Sequence, residues 1–167
     1  MIDYRSKNIV IFDLDGTVID SSHRQGDTLD DWRRMNTSDN IAKDSTLPLF
    51  DQMRDAINDG QDVIICTSRV MGDADFRWLT DHGIDPLRGI PVLCRDSSDN
   101  RHCGFFKLSM LHAYAKSLGL AWGRFTRNCL MFDDDSGVQD TLKSVGLRVI
   151  DPVNYNLNIG KAKNDHH

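Results

Sequence analysis

Nowhere in this 167-residue chain do apolar residues run on for the roughly 20 positions that a membrane-spanning helix needs, so no membrane span is expected. The amino terminus carries no basic stretch followed by an apolar one, and no signal peptide is expected there. Basic charge is in short supply too. Lys and Arg number 20 against 25 Asp and Glu, and a net charge of −5 argues against a generally basic nucleic-acid binder. Cys66, Cys94, Cys103 and Cys129 have neither disulfide nor zinc spacing, and adding His102 and His112 completes no four-ligand pattern. Cys66 and Cys129 sit inside apolar runs, where a reduced thiol behaves as a small hydrophobe, so a cytoplasmic location is expected. No Gly-x-x-x-x-Gly-Lys-Ser/Thr is present, which removes a P-loop kinase from consideration. Repeats and internal linkers are missing as well, and no obligate protein partner is evident.

What is present has the grammar of an α/β domain. Short continuous apolar runs at 8–12, 62–66 and 129–132 suit strands buried on both faces of a parallel sheet, with weaker strands at 90–93 and 147–150. Helical spacing fills the gaps. It covers Pro48–Asn58, Asp73–His82, Phe105–Leu118 and Ser136–Val145, each followed closely by a glycine. This alternation predicts a parallel sheet flanked by helices over residues 1–153. Residues 20–46 are polar and poor in pattern, open to reading as a loop, a short helix around Trp32 or a minimal lid. Residues 154–167, His166 and His167 included, have few apolar side chains and read as a flexible tail.

Three polar clusters stand directly after the apolar runs, where open parallel sheets place their ligands. The first is Asp13-Leu14-Asp15-Gly16-Thr17. Two neighbouring carboxylates repel unless a shared proton or a cation relieves them, and a hard divalent cation such as Mg²⁺ is the natural relief. Asp13 can then attack phosphorus while Asp15 protonates the leaving oxygen. A solvated turn rich in Asp and Gly is the plainer reading of the same five residues.

Asp-x-Asp-Gly-Thr after a first buried strand resembles the first motif of the haloacid dehalogenase-like phosphatases. The remaining motifs of that superfamily have candidates in the same order: Thr67 at a strand end, Lys107 at a helix start, and Asp133-Asp134 at a strand end. The resemblance implies a Rossmannoid fold with little or no cap, Mg²⁺ held by Asp13, Asp15, Asp133 and Asp134, and catalysis by Asp13, Asp15, Thr67 and Lys107. Taken singly, Thr67 also reads as a turn cap, Lys107 as an exposed helix lysine, and the acidic pair as a favourable helix N-terminus.

The segment from Arg95 to Lys107 has the form Arg-x3-Asp-x-Arg-x5-Lys. It is similar to the phosphatase domain of bacteriophage polynucleotide kinase-phosphatases, which removes 3′-phosphates from nucleic-acid ends. That likeness implies substrate contacts from Thr67, Ser68, Arg69, Arg95, Arg101 and Lys107, with Arg95 and Arg101 gripping a flanking phosphodiester. Ser68 stands where that family has glycine. The expected activity is a polynucleotide 3′-phosphatase. The alternatives are a phosphatase of free nucleotides or other small phosphomonoesters, which the acidic composition favours, and a catalytically silent binding protein. His23, Arg24 and the three tryptophans have blander readings, as solvated or partly buried side chains. A response-regulator receiver does not fit, because its acid pair and its phosphorylated Asp lie on different strands.

Overall fold

The computed structural model describes residues 8–165. The chain opens with β1 (Ile9–Phe12). A short antiparallel ribbon, β2 (Ile19–Asp20) with β3 (Ser45–Thr46), then brackets two small helices, α1 (Leu29–Met35) and α2 (Ser38–Ala42). Next come α3 (Pro48–Asn58), β4 (Asp62–Cys66), α4 (Asp73–Asp81) and β5 (Val92–Leu93). The last third runs α5 (Cys103–Ser117), α6 (Trp122–Arg127), β6 (Cys129–Phe132), α7 (Ser136–Ser144), β7 (Arg148–Ile150) and α8 (Pro152–Asn164).

Five of these strands make one parallel sheet in the order β5-β4-β1-β6-β7. β1 lies at its centre because its neighbours cover it on both edges, and the three inner strands β4, β1 and β6 bury both faces. Alternate residues serve opposite layers. Val10, Phe12, Val63, Ile65, Leu130 and Phe132 pack with Leu49, Phe50 and Met53 of α3 and Trp78 and Leu79 of α4. Ile11, Ile64, Cys66, Cys129 and Met131 pack on the other side with Leu111 of α5, Phe125 of α6 and Leu142 of α7. Full burial of each such side chain stabilises the fold by about 1.5–3 kcal/mol. The expected α/β Rossmannoid class is the one observed.

The register fixes the working edge. Ile11, Ile64 and Met131 stand level across β4-β1-β6, as do Phe12, Ile65 and Phe132. Asp13, Thr67 and Asp133 therefore emerge together beyond the carboxyl ends of three adjacent strands. The chain leaves β1 for β4 on one side and returns to β6 on the other, which makes this edge a topological switch point.

One segment takes up an expected alternative and another differs. Residues 20–46 hold both helices of the insertion, one of them the short helix around Trp32. Residues 152–164, mostly expected as a flexible tail, form α8, which starts with Pro152 behind the Asp151 N-cap. Its buried Asn156 accepts a hydrogen bond from the Leu49 amide (2.8 Å) and donates one to the Thr17 carbonyl (3.0 Å). A pattern-poor helix is held here by these two buried polar contacts, by the Lys163–Asp51 ion pair and by Tyr155 packed against Phe132. His166 and His167 lie outside the described residues, as do residues 1–7, where no signal peptide is expected. Among the described residues no helix is long and apolar enough to cross a membrane.

Candidate active site

Asp13 leaves β1 with its amide donating to the Phe132 carbonyl (3.0 Å), and its carboxylate is 7 % exposed. The Lys107 ammonium, on the first turns of α5, donates to Asp13 Oδ1 (2.7 Å) and to Asp133 Oδ2 (2.6 Å). Thr17 Oγ1 donates to Asp13 Oδ2 (3.1 Å). Asp133 Oδ1 in turn accepts from the Asp135 amide (3.0 Å). Asp134 comes within hydrogen-bonding reach of Asp13 and is the most exposed of the three acids. Gly16 makes room for it. A methyl group there would fall 2.1 Å from Asp134 Oδ2, and the residue's φ of +75° favours glycine in any case.

Asp13, Asp133 and Asp134 offer one oxygen each within 4.8 Å of one another. Lys107 supplies one positive charge against these three carboxylates. Burial, and then the charge on Asp13, pushes the Asp133 carboxyl up to about 7 despite Lys107. The same causes, with the hydrogen bond to Asp13, push Asp134 up to about 8. Burial works against the Lys107 ammonium, but Asp13 and Asp133 outweigh it and hold its pKa well above the ordinary value. A cluster left this rich in negative charge, with oxygen donors only, fits a hard divalent cation. Lys107 is thus no surface lysine, and Asp133 and Asp134 are more than a helix terminus: the N-cap of α7 is Asp135.

Asp15 stands apart from this trio. Its carboxylate accepts from Ser21 Oγ (2.6 Å), Arg69 Nη2 (2.5 Å) and Arg69 Nε (3.2 Å). Burial would raise its pKa, but the charge and hydrogen bonds of Arg69, helped by Ser21, hold it below the usual carboxylate value. The structure therefore removes the Asp15 carboxylate from the expected four-acid metal set: a side chain turned toward a guanidinium does not also join the cluster.

The remaining expected residues divide. Thr67 is buried, and its hydroxyl oxygen accepts from the Arg69 amide (3.0 Å), so it caps the turn while keeping its own proton free to donate. Ser68 Oγ is buried with no hydrogen-bond partner among the described residues. Arg69 is buried at the centre of an ion cluster. Arg95 corrects the phosphodiester expectation. It is 2 % exposed, and it donates to the carbonyls of Ser68 (3.0 Å), Asp99 (3.1 Å) and Arg101 (2.8 Å) while lying over the Phe106 ring. Its donors shape the loop into α5 and are not turned to a ligand. Arg101 is exposed and paired with Asp99, whose carboxyl it pulls down to about 2.

Sequence reading misses Asp44 and Asp75 and leaves Arg24 among solvated residues. All three are buried. Arg24 binds Asp44 through two contacts of 2.8 Å, and Arg69 reaches Asp44 (3.2 Å) and Asp75 (2.7 Å). No local pattern announces these pairings, whose members lie up to 25 residues apart in the chain. Thr17 alone was legible, as the last residue of the Asp-x-Asp-Gly-Thr motif.

Comparison with known proteins gives the family and the fold. Residues 1–166 match the family described as Bacteriophage T5 5′-deoxynucleotidase. The 5′-deoxynucleotidase of Escherichia phage T5 is 31% identical, over 91% of this chain and 70% of that protein. Among solved structures, a haloacid dehalogenase-like family hydrolase from Streptococcus pneumoniae superposes with a TM-score of 0.60 at 13% identity, covering 93% of this chain and 91% of the other. A chain of the Pnkp1/Rnl/Hen1 RNA repair complex gives 0.64 at 22% identity, covering 87% and 42% respectively. CbbY from Rhodobacter sphaeroides, in complex with phosphate, gives 0.59 at 12% identity over 86% and 84%. This chain belongs to the Bacteriophage T5 5′-deoxynucleotidase family and is a phosphoric monoester hydrolase with a haloacid dehalogenase-like fold.

Proposed function

We propose that this phosphatase hydrolyses nucleoside 5′-monophosphates, deoxynucleotides foremost, with Mg²⁺ and through an aspartyl-phosphate on Asp13. The observation that carries the reading is the buried Asp13 carboxylate, gripped by Lys107 and Thr17 beside Asp133 and Asp134. The phage relative's name supports the substrate class. A polynucleotide 3′-phosphatase is the second reading. It drew on Arg95 and Arg101 as a phosphodiester grip, and the internal hydrogen bonds of Arg95 weaken that grip. The net charge of −5 also favours a small substrate over a nucleic-acid strand. The free thiols of the described residues suit a cytoplasmic setting.

In this reading Asp13, Asp133 and Asp134 hold Mg²⁺. When bound, the cation neutralises the acidic cluster and polarises a phosphoryl oxygen. An oxygen of Asp13 attacks phosphorus, the bond to the ester oxygen breaks, and that oxygen takes a proton relayed from water through Asp15, whose carboxylate rests ionised beside Arg69; the nucleoside leaves. Water then attacks phosphorus and gives a proton to Asp15, which returns it to solvent, the Asp13–phosphorus bond breaks, and phosphate leaves with both carboxylates restored. The Lys107 ammonium stabilises charge on the attacking carboxylate and the phosphoryl group, and the Thr67 hydroxyl donates to a phosphoryl oxygen.

A phosphate-release panel tests the assignment, using 5′- and 3′-deoxynucleoside monophosphates and a 3′-phosphorylated oligonucleotide, with Mg²⁺ or chelator, at several salt concentrations. The 5′-deoxynucleotides should have the highest kcat/KM, with turnover abolished by chelator and by Asp13→Asn. Faster turnover of the oligonucleotide, declining steeply with salt, would replace this reading with the second one.

A further inference from the structure

We infer that Asp44, delivered by the 20–46 insertion, is a positioning residue for Asp15 and acts through Arg69. The inference rests on the proton-transfer role given to Asp15 above. Arg69 presents a rigid fork whose nitrogens are all engaged. Nε and Nη2 hold the two oxygens of Asp15, Nη1 holds Asp75 Oδ1, and Nη2 also reaches Asp44 Oδ2 (3.2 Å). A planar guanidinium fixed at three corners cannot swing, so the carboxylate it carries is fixed in turn.

Asp44 is itself anchored from three directions. Arg24 Nε and Nη2 each donate to one of its oxygens (2.8 Å), and Trp78 Nε1 donates to its carbonyl (3.3 Å). His23 Nε2 lies 3.6 Å from Oδ1. Arg24 is in turn held by Asn36 Oδ1 (3.1 Å) and by the face of Trp32, which also reaches over Arg69. Arg24 follows β2 and Asp44 precedes β3, so their pair closes the neck of the insertion. Closing the neck requires only Arg24 and Asp44. The extra contact from Asp44 to Arg69 joins the insertion to the loop after β4, and through it to Asp15.

Stability alone does not explain the arrangement. Taking an ion out of water costs several kcal/mol, and well-packed apolar residues often serve the fold as well. Here three carboxylates and two guanidiniums are buried or nearly so, with side-chain exposures of 18 % for Asp15 and 0–2 % for Arg24, Asp44, Arg69 and Asp75. What such a cluster supplies is fixed geometry. The insertion is thus a brace built into the site, and Asp44 is its point of contact.

The test exploits the leaving group. A deoxynucleotide releases an alkoxide unless the departing oxygen is protonated, whereas p-nitrophenyl phosphate releases a stable phenolate that needs no proton. Asp44→Asn should lower kcat/KM, which reports the first step before the shared aspartyl-phosphate is hydrolysed, about 100-fold on the deoxynucleotide and by no more than about 3-fold on the aryl phosphate. Should that variant not fold by near-UV circular dichroism, Asp44→Glu keeps the charge pair with Arg24 while displacing the carboxylate by one methylene. The same split, about 10-fold on the deoxynucleotide, is expected of it. Equal losses on the two substrates, or none on the deoxynucleotide, would overturn the inference. Asp15→Asn run alongside separates the two levels. A uniform loss of kcat/KM in that variant removes the role of Asp15 as acid toward the leaving group, while a split there that both Asp44 variants lack removes only the role of Asp44.

Discussion

Metal binding by this protein should be steeply pH-dependent between pH 6 and 8, and the carboxyls of Asp133 and Asp134 set the slope. In the metal-free site burial and the charge on Asp13 push them up to about 7 and about 8. A cation needs these oxygens deprotonated, so binding releases protons. A single proton lost from Asp134 would tighten the apparent Kd about 50-fold on going from pH 6 to pH 8, and a second from Asp133 would bring the total to about 500-fold. Stability of the metal-free protein should run the other way. Carboxyls whose folded pKa is raised stabilise the fold fully below their unfolded value, near pH 4, and that contribution is lost as pH rises through 7 and 8. The pKa of Lys107 is raised, so it stays charged throughout the window and adds no slope. The Tm of chelated protein should therefore fall from pH 5 to pH 8.5. Mg²⁺ at 100 times its Kd should restore about 2.7 kcal/mol, or about 5–10 °C in a chain of this size. Titration calorimetry at pH 6 and pH 8 in buffers of different ionisation enthalpy measures the affinity and the protons released. A Kd that does not change between those pH values, or a metal-free Tm that climbs with pH, would refute the reasoning.

Arg95→Met should destabilise by about 2–4 kcal/mol, because the carbonyls of Ser68, Asp99 and Arg101 lose their shared donor. Its KM for a deoxynucleotide should stay at the wild-type value; a raised KM at unchanged Tm would return Arg95 to substrate binding. Asn156→Ala should lower stability by about 2–4 kcal/mol in urea melts, since a buried amide at Leu49 and a buried carbonyl at Thr17 are both left unpaired. Melting indistinguishable from wild type would mean that α8 does not brace the first catalytic turn.

Short-range chemistry made much of this protein legible. Apolar runs of four or five residues ending in Asp or Thr, alternating with helices, suit strands buried on both faces of a parallel sheet, with the polar residue after each run at the carboxyl edge. That logic, joined to the resemblance to the haloacid dehalogenase-like motifs, brought Asp13, Thr67, Lys107, Asp133 and Asp134 into view. The short strand β5 and the six-residue α6 are too brief to announce their bounds. α8 carries no apolar stripe for periodicity to find, since Asn156 anchors it through partners more than 100 residues away.

The sequence by itself determined which residue types stand at the strand ends, because burial and spacing are local properties of the chain. Only the tertiary structure decided how their charges pair. Asp13 and Asp15 are two residues apart, yet one faces a lysine 94 positions on and the other an arginine 54 positions on. Arg95 and Arg24 look equally available in the sequence, and both are buried among partners that long-range packing supplies. Electrostatic partners are chosen by proximity in space, and proximity in space exists only once the sheet has closed around β1.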